Sequence, residues 1–410
     1  MKKLVVLGAG TGGTIMVNKL RKVLDRSEWE ITIVDEHQTH YYQPGFLFIP
    51  FGIYNKSDVI KPKGDFFPSG VNVIYQEIDR IEGKENKVYL MDGTCMKYDF
   101  LIIATGTQTR PDETPGLLGE QWRKSVFDFY TIEGAVALQQ FFKTWEGGKL
   151  VMAISELPFK CPVAPIEFVC LAEAYFTEKG IRDKVDITYV TPLPGAFTKP
   201  IATKMLSQLL DEKNIKVVPE FYIESVDNEK KVIRSYDEQE IPFDVLTIVP
   251  VNMGAEMIER SGLGDDMNFV ETDKETLQSK HFENIFVLGD AANIPTSKAG
   301  SVAHFAAEIL FENIMNAIES RPLTAKFDGH ANCYIETGYG KGTLIDFNYD
   351  VEPLPGRFPV PGIGPLRLLQ ESEMNHWGKM AFRWIYWNML LKGAEIPGIE
   401  SRMSLDGKWS

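Results

Sequence analysis

The opening stretch "KLVVLGAGTGG" constrains the fold more than any other part of the chain. Its apolar residues 3–7 predict a buried strand, and Gly8, Gly10 and Gly13 follow in the G-x-G-x-x-G spacing. Glycines in this spacing permit a tight turn, a close approach of the backbone to a pyrophosphate, and close packing of the next helix. We therefore expect a strand, a phosphate-binding turn and a helix at the start of a dinucleotide-binding domain.

The residues that follow complete this unit. An amphipathic helix is predicted over about residues 14–24, and "WEITIVDEH" predicts a second buried strand that ends at Asp35. The N-terminus of the helix supplies partial positive charge for a pyrophosphate. A carboxylate about 20 residues beyond the glycines is placed to bind a ribose hydroxyl. A lone glycine motif would be weak support for a nucleotide site. The ordered combination of strand, glycines, helix, second strand and acidic residue predicts such a site.

Two later segments indicate which nucleotide binds. "YDFLIIATGTQTRP" predicts a buried strand that runs into Ala104, Thr105 and Gly106, and "FENIFVLGDAANIP" predicts another that ends at Gly289 and Asp290. Taken alone, the second segment is also compatible with a simple turn. Both segments resemble the further FAD-contact motifs of the flavoproteins with two dinucleotide-binding domains. The resemblance implies FAD as the cofactor, with the aspartate at or near the ribityl chain.

Composition excludes several classes of protein. The chain has 410 residues and a formal net charge of −14, which argues against a nucleic-acid binder. Its four cysteines are too few and too scattered for a disulfide framework, and they lack the spacing of metal ligands. No stretch offers the roughly 20 apolar residues of a membrane-spanning helix. The N-terminus is interpreted as mature protein that starts directly with a strand, rather than as a signal peptide.

The second nucleotide unit carries an unusual loop. Reductases of the resembled superfamily usually have a second glycine motif for NAD(P)H, expected here after "GKLVMAI". The loop instead reads "SELPFKCPVAPIEF", which has no glycine. Pro158, Pro162 and Pro165 remove backbone N–H donors that a pyrophosphate would need. We expect that the unit keeps its fold and has lost its nicotinamide site.

Cys161 gives this loop a different chemistry. Pro165 suits the first turn of a helix, so Cys161 is predicted just before a helix N-terminus, where the pKa of a thiol is lowered. Glu167 falls in the first turn and can exchange protons beside the sulfur. Two plainer interpretations stay open: Glu167 as a helix-start carboxylate only, and Cys161 as a small buried hydrophobic residue. Cys170 is predicted to lie in the core, and Cys95 is predicted to be structural.

The whole chain resembles the sulfide:quinone oxidoreductases and the flavin subunit of flavocytochrome c sulfide dehydrogenase. The resemblance rests on "GAGTGG", "FKCPVAPIEF", "SKAGSVAHFAAE" and "CYIETG". It implies a redox-active pair formed by Cys161 and Cys333, with Cys333 favoured as the one beside the flavin. Hydrosulfide would attack this pair, two electrons would pass to the flavin, and Glu167 would handle protons.

The chain departs from the resembled families at two positions. Tyr130 stands where many quinone-linked members have a third essential cysteine, which favours a two-cysteine variant or a different sulfur acceptor. Some members attach FAD to a cysteine in the loop after the acidic ribose ligand. The loop here, "HQTHYYQPGFLF", has no cysteine, so the FAD is predicted to be non-covalent.

The predicted electron exit lies after the Gly289-Asp290 motif. Gly300 and a helix that begins near residue 301 can aim N–H groups at the flavin pyrimidine. Lys298 is a candidate for contact with the flavin or with a quinone carbonyl, and an exposed loop lysine is the alternative.

The C-terminal segment "MNHWGKMAFRWIYWNMLLKG" predicts a helix that is apolar on most faces. Trp377, Trp384 and Trp387, with basic residues between them, suit a membrane interface. Burial in a dimer or domain interface is the alternative.

The prediction is an α/β protein with two Rossmann-like domains and a C-terminal segment that covers the flavin and associates with a membrane. The predicted domains are residues 1–112 and 251–325 for FAD, 113–250 for the second unit, and 326–410 for the C-terminal segment. Sulfide oxidation to sulfur or polysulfide, with a membrane quinone as acceptor, is the predicted activity on a peripheral (monotopic) protein; homo-oligomer formation is left open. The alternatives are a flavocytochrome c-type sulfide dehydrogenase subunit, a type II NADH:quinone oxidoreductase and a non-catalytic flavin-bearing scaffold.

Overall fold

The structure is a computed structural model that describes residues 1–409. Seven α-helices are found within these residues, and their bounds are α1 Thr11–Val23, α2 Ile132–Thr144, α3 Ala164–Glu178, α4 Pro200–Glu212, α5 Glu256–Ser261, α6 Gly300–Ile318 and α7 Glu373–Asn388.

Twenty-six strands are found within the same described residues. Their bounds are β1 Lys2–Leu7, β2 Trp29–Asp35, β3 Thr39–Tyr41, β4 Ile60–Pro62, β5 Asn72–Tyr75, β6 Ile78–Glu82, β7 Lys87–Leu90, β8 Cys95–Lys97, β9 Phe100–Ile103, β10 Thr107–Arg110, β11 Val126–Phe127, β12 Gly148–Ile154, β13 Val185–Val190, β14 Lys216–Val218, β15 Ile223–Asp227, β16 Val232–Ser235, β17 Glu240–Pro242, β18 Val245–Val249, β19 Val251–Gly254, β20 Val270–Glu271, β21 Ile285–Val287, β22 Ala292–Asn293, β23 Ala331–Gly338, β24 Lys341–Phe347, β25 Gly356–Val360 and β26 Gly364–Leu368.

Two parallel five-stranded sheets form the frame of the molecule. The first has the order β21-β9-β1-β2-β5 and the second has the order β11-β18-β12-β13-β14. Their central strands are almost continuous apolar runs, as expected for strands that are covered by helices on both faces. The prediction of a Rossmann-like α/β fold is therefore confirmed.

The chain leaves the first sheet after β9 and returns to it at β21, after the whole second sheet has formed. The antiparallel pair β10–β19 lies at the two crossings between these units. Because ligands of such sheets bind beyond the carboxyl ends of the strands, the loops after β1, β9, β12 and β21 are the ones to inspect for a site.

A third sheet is formed by strands of the C-terminal segment and packs against the second unit. It has the order β23-β24-β26-β25, and β23 packs against α3 of the second unit. The approach is close at Gly338, which has a φ of +84° and where an added Cβ would lie 2.8 Å from Cβ of Ala174 and 3.0 Å from the carbonyl oxygen of Cys170. This tight contact fixes β23 on α3, and with it the relative position of residues 333 and 161.

The helix α7 follows this sheet and is buried on one side only. Tyr386 and Trp387 are in the core, whereas Trp377 and Trp384 are 63% and 62% exposed. The predicted helix is therefore confirmed, but its apolar residues divide between a packed face and a solvent-facing one. Among residues 1–409, no helix is long and apolar enough to cross a membrane.

Candidate active site

The glycine turn after β1 meets the turn after β9. An added Cβ at Gly8 would lie 2.4 Å from the carbonyl oxygen of Ala104, and one at Gly13 would lie 1.9 Å from the carbonyl oxygen of Gly8. Both positions therefore require glycine for packing within the protein. Gly10 differs from them, since an added Cβ there would meet no atom within 4 Å. Gly10 therefore borders open space, as expected for a residue next to a bound ligand.

Other predicted cofactor residues border open space in the same way. Added Cβ atoms at Gly106 and Gly300 would also meet nothing within 4 Å, and the buried hydroxyl of Thr105 has no hydrogen-bond partner in the described chain. The helices α1 and α6 both begin without a side-chain cap and without an acidic residue in the first turn. Their first N–H groups are thus suited to anionic groups such as a pyrophosphate or a flavin ring carbonyl. These features fit FAD.

Asp35 ends β2 next to this turn, as predicted. Its carboxylate accepts hydrogen bonds from the N–H groups of Ala9, at 2.6 Å, and His37, at 2.9 Å. It also pairs with the buried ammonium group of Lys63, which the sequence did not single out. Asp35 therefore braces the glycine turn, and Lys63 adds a cation at the predicted ribose position.

Two glycine substitutions separate ligand binding from packing. Gly10→Ala is expected to leave the melting temperature of the FAD-free protein nearly unchanged and to weaken FAD binding, because the new methyl group occupies only the open space. Gly13→Ala is expected to destabilise the FAD-free protein by about 1–3 kcal/mol, because its methyl group collides with the backbone at Gly8. Thermal unfolding of the FAD-free variants and flavin fluorescence on titration measure the two effects, and equal melting temperatures would contradict this distinction.

The loop after β21 is tied to the loop that carries Cys161. Lys298 donates hydrogen bonds to the carbonyl oxygens of Asp290, at 2.8 Å, and Ala292, at 3.2 Å, and its ammonium group lies 3.6 Å from the ring centroid of Phe269. Burial lowers the pKa of Lys298 to about 8. The alternative of an exposed loop lysine is therefore wrong. The carbonyl oxygen of Lys298 in turn accepts the N–H of Cys161 at 2.8 Å.

Cys161 has an unusual backbone conformation. Its φ is +54°, a left-handed value that costs of order 1–3 kcal/mol for a residue other than glycine. The hydroxyl of Tyr130 donates to the carbonyl oxygens of Lys160, at 2.8 Å, and Cys161, at 3.4 Å. Tyr130 therefore lies directly against the cysteine loop. The helix α3 begins three residues after Cys161, with Pro165 in its first turn as predicted.

Cys333 lies on β23 and is buried, and its sulfur is within electrostatic reach of Cys161. Burial is the main cause that raises the pKa of Cys333, and the charge of Cys161 is the next. The pKa of Cys161 is raised to about 12, by burial first and by the charge of Glu167 second. The predicted lowering of the Cys161 pKa is therefore wrong: removal from water outweighs the effect of the nearby helix end.

The other two cysteines lie elsewhere. Cys170 is fully buried on α3, which confirms its predicted place in the core. Cys95 is exposed at the start of β8.

Glu167 is buried in the first turn of α3, between the cysteines and α7. It forms an ion pair with Lys379 and accepts the backbone N–H of Glu336 at 2.7 Å. Burial raises the pKa of Glu167, while Lys379 opposes this shift. The interpretation of Glu167 as a helix-start carboxylate alone does not account for these contacts. Lys379 also lowers the pKa of both Cys161 and Cys333, so its charge favours anions at the pair.

Sequence reasoning missed this role of Lys379, which it took as a charged interruption of a lipid-facing helix. The available signal was its position within a helix of mostly apolar faces, where a charged residue needs a buried partner. That partner, Glu167, is 212 residues away in sequence.

The packed side of α7 also reaches the glycine turn. The hydroxyl of Tyr386 lies 2.8 Å from Oγ1 of Thr11 and 2.6 Å from Nε2 of His40, and all three groups are buried or half-buried. Trp387 stacks on Phe66 with ring centroids 5.3 Å apart. One helix therefore contacts both the predicted nucleotide turn and, through Lys379, the cysteine site.

Comparisons with known proteins agree with this arrangement. The family model described as "Pyridine nucleotide-disulphide oxidoreductase" matches residues 2–143. The model described as "Sulfide dehydrogenase [flavocytochrome c] flavoprotein chain, central" matches residues 136–250, which hold the loop without glycines. The fold and these matches indicate a flavin-dependent oxidoreductase that is similar to the pyridine nucleotide-disulphide oxidoreductase class.

Within this class, the chain is a relative of the sulfide:quinone oxidoreductases. It is 28% identical over 397 residues to the mitochondrial sulfide:quinone oxidoreductase of Dictyostelium discoideum, covering 95% of this chain and 86% of that protein. The structure of the sulfide:quinone oxidoreductase from Aquifex aeolicus matches with a TM-score of 0.81 and 21% identity, covering 96% and 92% of the two chains. The resemblance drawn from the sequence motifs is confirmed.

A chain of the mitochondrial ATP synthase of Tetrahymena thermophila has the same fold. It matches with a TM-score of 0.76 and 17% identity, covering 96% of both chains.

Proposed function

We propose that this protein oxidises sulfide to sulfur or polysulfide at Cys161 and Cys333, and that the electrons pass through non-covalently bound FAD to a membrane quinone. The observation that carries the proposal is the placement of partly exposed Cys161 and buried Cys333, within electrostatic reach of each other, beside the Glu167–Lys379 ion pair. Cys161 and Glu167 stand in the unit of the fold whose loop lacks the glycine motif expected for a nicotinamide nucleotide, and Cys333 and Lys379 reach them from β23 and α7. The relationship to proteins named sulfide:quinone oxidoreductases points to the same activity.

The cysteines supply the sulfur chemistry. Hydrosulfide attacks the Cys161–Cys333 disulfide, the S–S bond breaks, and one cysteine becomes a persulfide while the other becomes a thiolate. Persulfide and thiolate then join as a trisulfide, which releases one proton and two electrons. Bound FAD supplies the two-electron acceptor for this step. Lys379 stabilises the thiolate, because its charge lowers the pKa of both cysteines.

Glu167 is placed to take the released proton. Its carboxylate is buried, is held by the N–H of Glu336, and has a raised pKa, so that it holds a proton more readily than an exposed carboxylate. Tyr130 occupies the position of a third cysteine and has no sulfur to offer. Its hydroxyl instead holds the cysteine loop, which supports a two-cysteine form of the reaction.

An anaerobic titration of the purified flavoprotein tests the proposal. Sulfide is expected to bleach the absorbance near 450 nm and a short-chain quinone is expected to restore it, whereas NADH is expected to have no effect. Bleaching by NADH alone would favour a pyridine-nucleotide oxidoreductase. Bleaching by neither donor would favour a non-catalytic role in an assembly. This role is the second candidate function, because a chain of a mitochondrial ATP synthase has the same fold.

Substitution of either proposed redox cysteine is expected to abolish reduction by sulfide. Cys161→Ser and Cys333→Ser each prevent the proposed disulfide from forming, so sulfide-driven bleaching should fall by about 1,000-fold or more, since the covalent route is lost. Cys95→Ser is the matched control, because Cys95 is an exposed thiol on β8 and should react at the wild-type rate. Retained flavin absorbance shows that the variants are folded. A wild-type rate in Cys161→Ser would refute the cysteine-pair mechanism.

The exposed face of α7 is proposed to lie on the membrane. Met374, Trp377 and Trp384 are exposed and recur at helical spacing along one side of the helix. Val360, at the end of β25, and Ile363, in the turn between β25 and β26, are exposed apolar residues too. Tryptophan at a helix surface, with an apolar turn, suits insertion to the level of lipid headgroups. Such a site would give the protein access to a quinone dissolved in the bilayer.

Removal of the two exposed tryptophans tests this surface. The double variant Trp377→Ser/Trp384→Ser is expected to bind phosphatidylcholine–cardiolipin vesicles at least about tenfold more weakly, because each indole contributes on the order of 1–2 kcal/mol of apolar burial. Tyr236→Ser is the control, because this residue is 70% exposed in the turn between β16 and β17. Vesicle flotation measures binding. Truncation of α7 is unsuitable, since it would also remove Lys379 and Tyr386.

A further inference from the structure

A second titratable pair lies behind the cysteine site and has no part in the mechanism above. The carboxylate of Glu336, on β23, is 2.8 Å from Nδ1 of His376 on α7. Glu336 is 2% exposed, and its other oxygen, Oε1, is buried without a hydrogen-bond partner in the described chain. The backbone N–H of Glu336 donates to Glu167. The Glu336–His376 pair therefore adjoins the Glu167–Lys379 ion pair.

The charges of these buried groups do not balance. Glu167 and Glu336 are two carboxyl groups, and both act on the ammonium group of Lys379. Any thiolate at Cys161 or Cys333 adds further negative charge to the same region. Burial of a charge without a partner of opposite sign is costly. A protonated imidazole at His376 is the second cation that this geometry offers.

The remaining basic side chain of α7, Arg383, is committed elsewhere. Arg383 pairs with Asp58 at 3.0 Å and lies 4.3 Å over the ring of Tyr54. His376 contacts the edge of Trp377, with ring centroids 5.5 Å apart, and its side chain is 19% exposed. His376 can therefore exchange a proton with solvent, whereas Glu336 is sealed from it.

We propose that His376, held by Glu336, is a positioning residue that takes a proton from solvent when negative charge forms at the cysteine pair. The proposal rests on the proposed function. Addition of HS⁻ to the disulfide gives one persulfide and one thiolate, which brings one more negative charge to a site that already holds two carboxyl groups and one ammonium group. One proton taken from solvent by the imidazole of His376 offsets this added charge. The proton leaves again after the trisulfide has formed and the electron pair has passed to the flavin.

Rapid anaerobic mixing of the FAD-loaded protein with sulfide, at a series of pH values, tests the proposal. His376→Ala is expected to slow the bleaching of the flavin by about tenfold near pH 7, the factor that corresponds to one pK unit of lost interaction. Its rate should also lose one inflection from the pH profile. Added imidazole should restore the rate, since the removed side chain leaves a partly open site. His281→Ala is the control, because His281 is a half-exposed residue that pairs with Glu271 in a different region.

A second variant distinguishes a loss of proton uptake from a purely structural effect of the substitution. Glu336→Gln keeps the backbone N–H to Glu167 and removes the acid that holds His376, so it should slow bleaching in a manner that imidazole does not restore. His376→Asn replaces His376→Ala if the latter loses FAD, and it should show the same altered pH profile. An unchanged rate and pH profile on loss of the imidazole would overturn the proposal. The proposal would also be overturned if His376→Ala reacted more slowly but kept the wild-type pH profile and was not rescued by imidazole.

The outcome can be separated from that of the proposed function. If sulfide fails to bleach the wild-type protein, the proposed function fails, and the role of His376 is then judged on the reduced thiols alone. Alkylation of Cys161 by iodoacetamide, followed by mass spectrometry, reports its thiolate fraction at each pH. Between about pH 5 and 7, where an imidazole carries a proton, alkylation should be slower in His376→Ala than in the wild type because a compensating cation is missing, and the two rates should converge as the pH rises. Coincident profiles would overturn the proposal.

Discussion

The ion pair between Glu167 and Lys379 is the contact on which the rest of this site depends. It joins α3, which follows the cysteine loop, to α7, which lies 212 residues further along the chain. Loss of one partner from a buried ion pair typically costs about 3–5 kcal/mol, because the other charge is left in the interior without compensation. The pair therefore holds α7 against the second Rossmann-like unit, and it also sets the charge that the two cysteines experience. The same ion pair therefore serves both the packing of the fold and the chemistry of the site.

This dependence explains why α7 is apolar on most faces without being wholly buried. Its packed side must carry Lys379 to the cysteines and Tyr386 to Thr11 at the nucleotide turn. Its outer side is then left to carry Trp377 and Trp384 in solvent. A helix fixed so firmly on its inner side can expose tryptophan without loss of position. The two choices drawn from the sequence, a membrane interface and an internal interface, are therefore not exclusive: the inner side forms the internal interface, and the proposed membrane contact concerns only the outer side.

How much the sequence predicts depends on whether a signal is local. The glycine turn, α1, β2 and the break in the second nucleotide loop follow from short stretches, because backbone geometry and hydrogen bonding there are set by near neighbours. Lys379 and Glu336 were not predicted, because their roles come from partners on other elements. The Cys161 pKa was predicted in the wrong direction for a related reason: the helix end is local and visible in sequence, whereas desolvation arises from contacts with residues distant in sequence, such as Lys298 in the loop after β21.

A thiol with a raised pKa also bears on the order of events at the cysteine pair. At neutral pH, the buried thiols of Cys161 and Cys333 would hold their protons, so a free thiolate is an uphill species that must be stabilised as it forms. Attack by hydrosulfide on a disulfide meets this requirement, because the nucleophile brings its own negative charge and the protein needs only to receive it. Lys379 is positioned to do so from the start. The same desolvation that raises both thiol pKa values keeps resting thiols protonated and thus less reactive towards oxidants, while a cation already in place lowers the cost of the charged state during turnover.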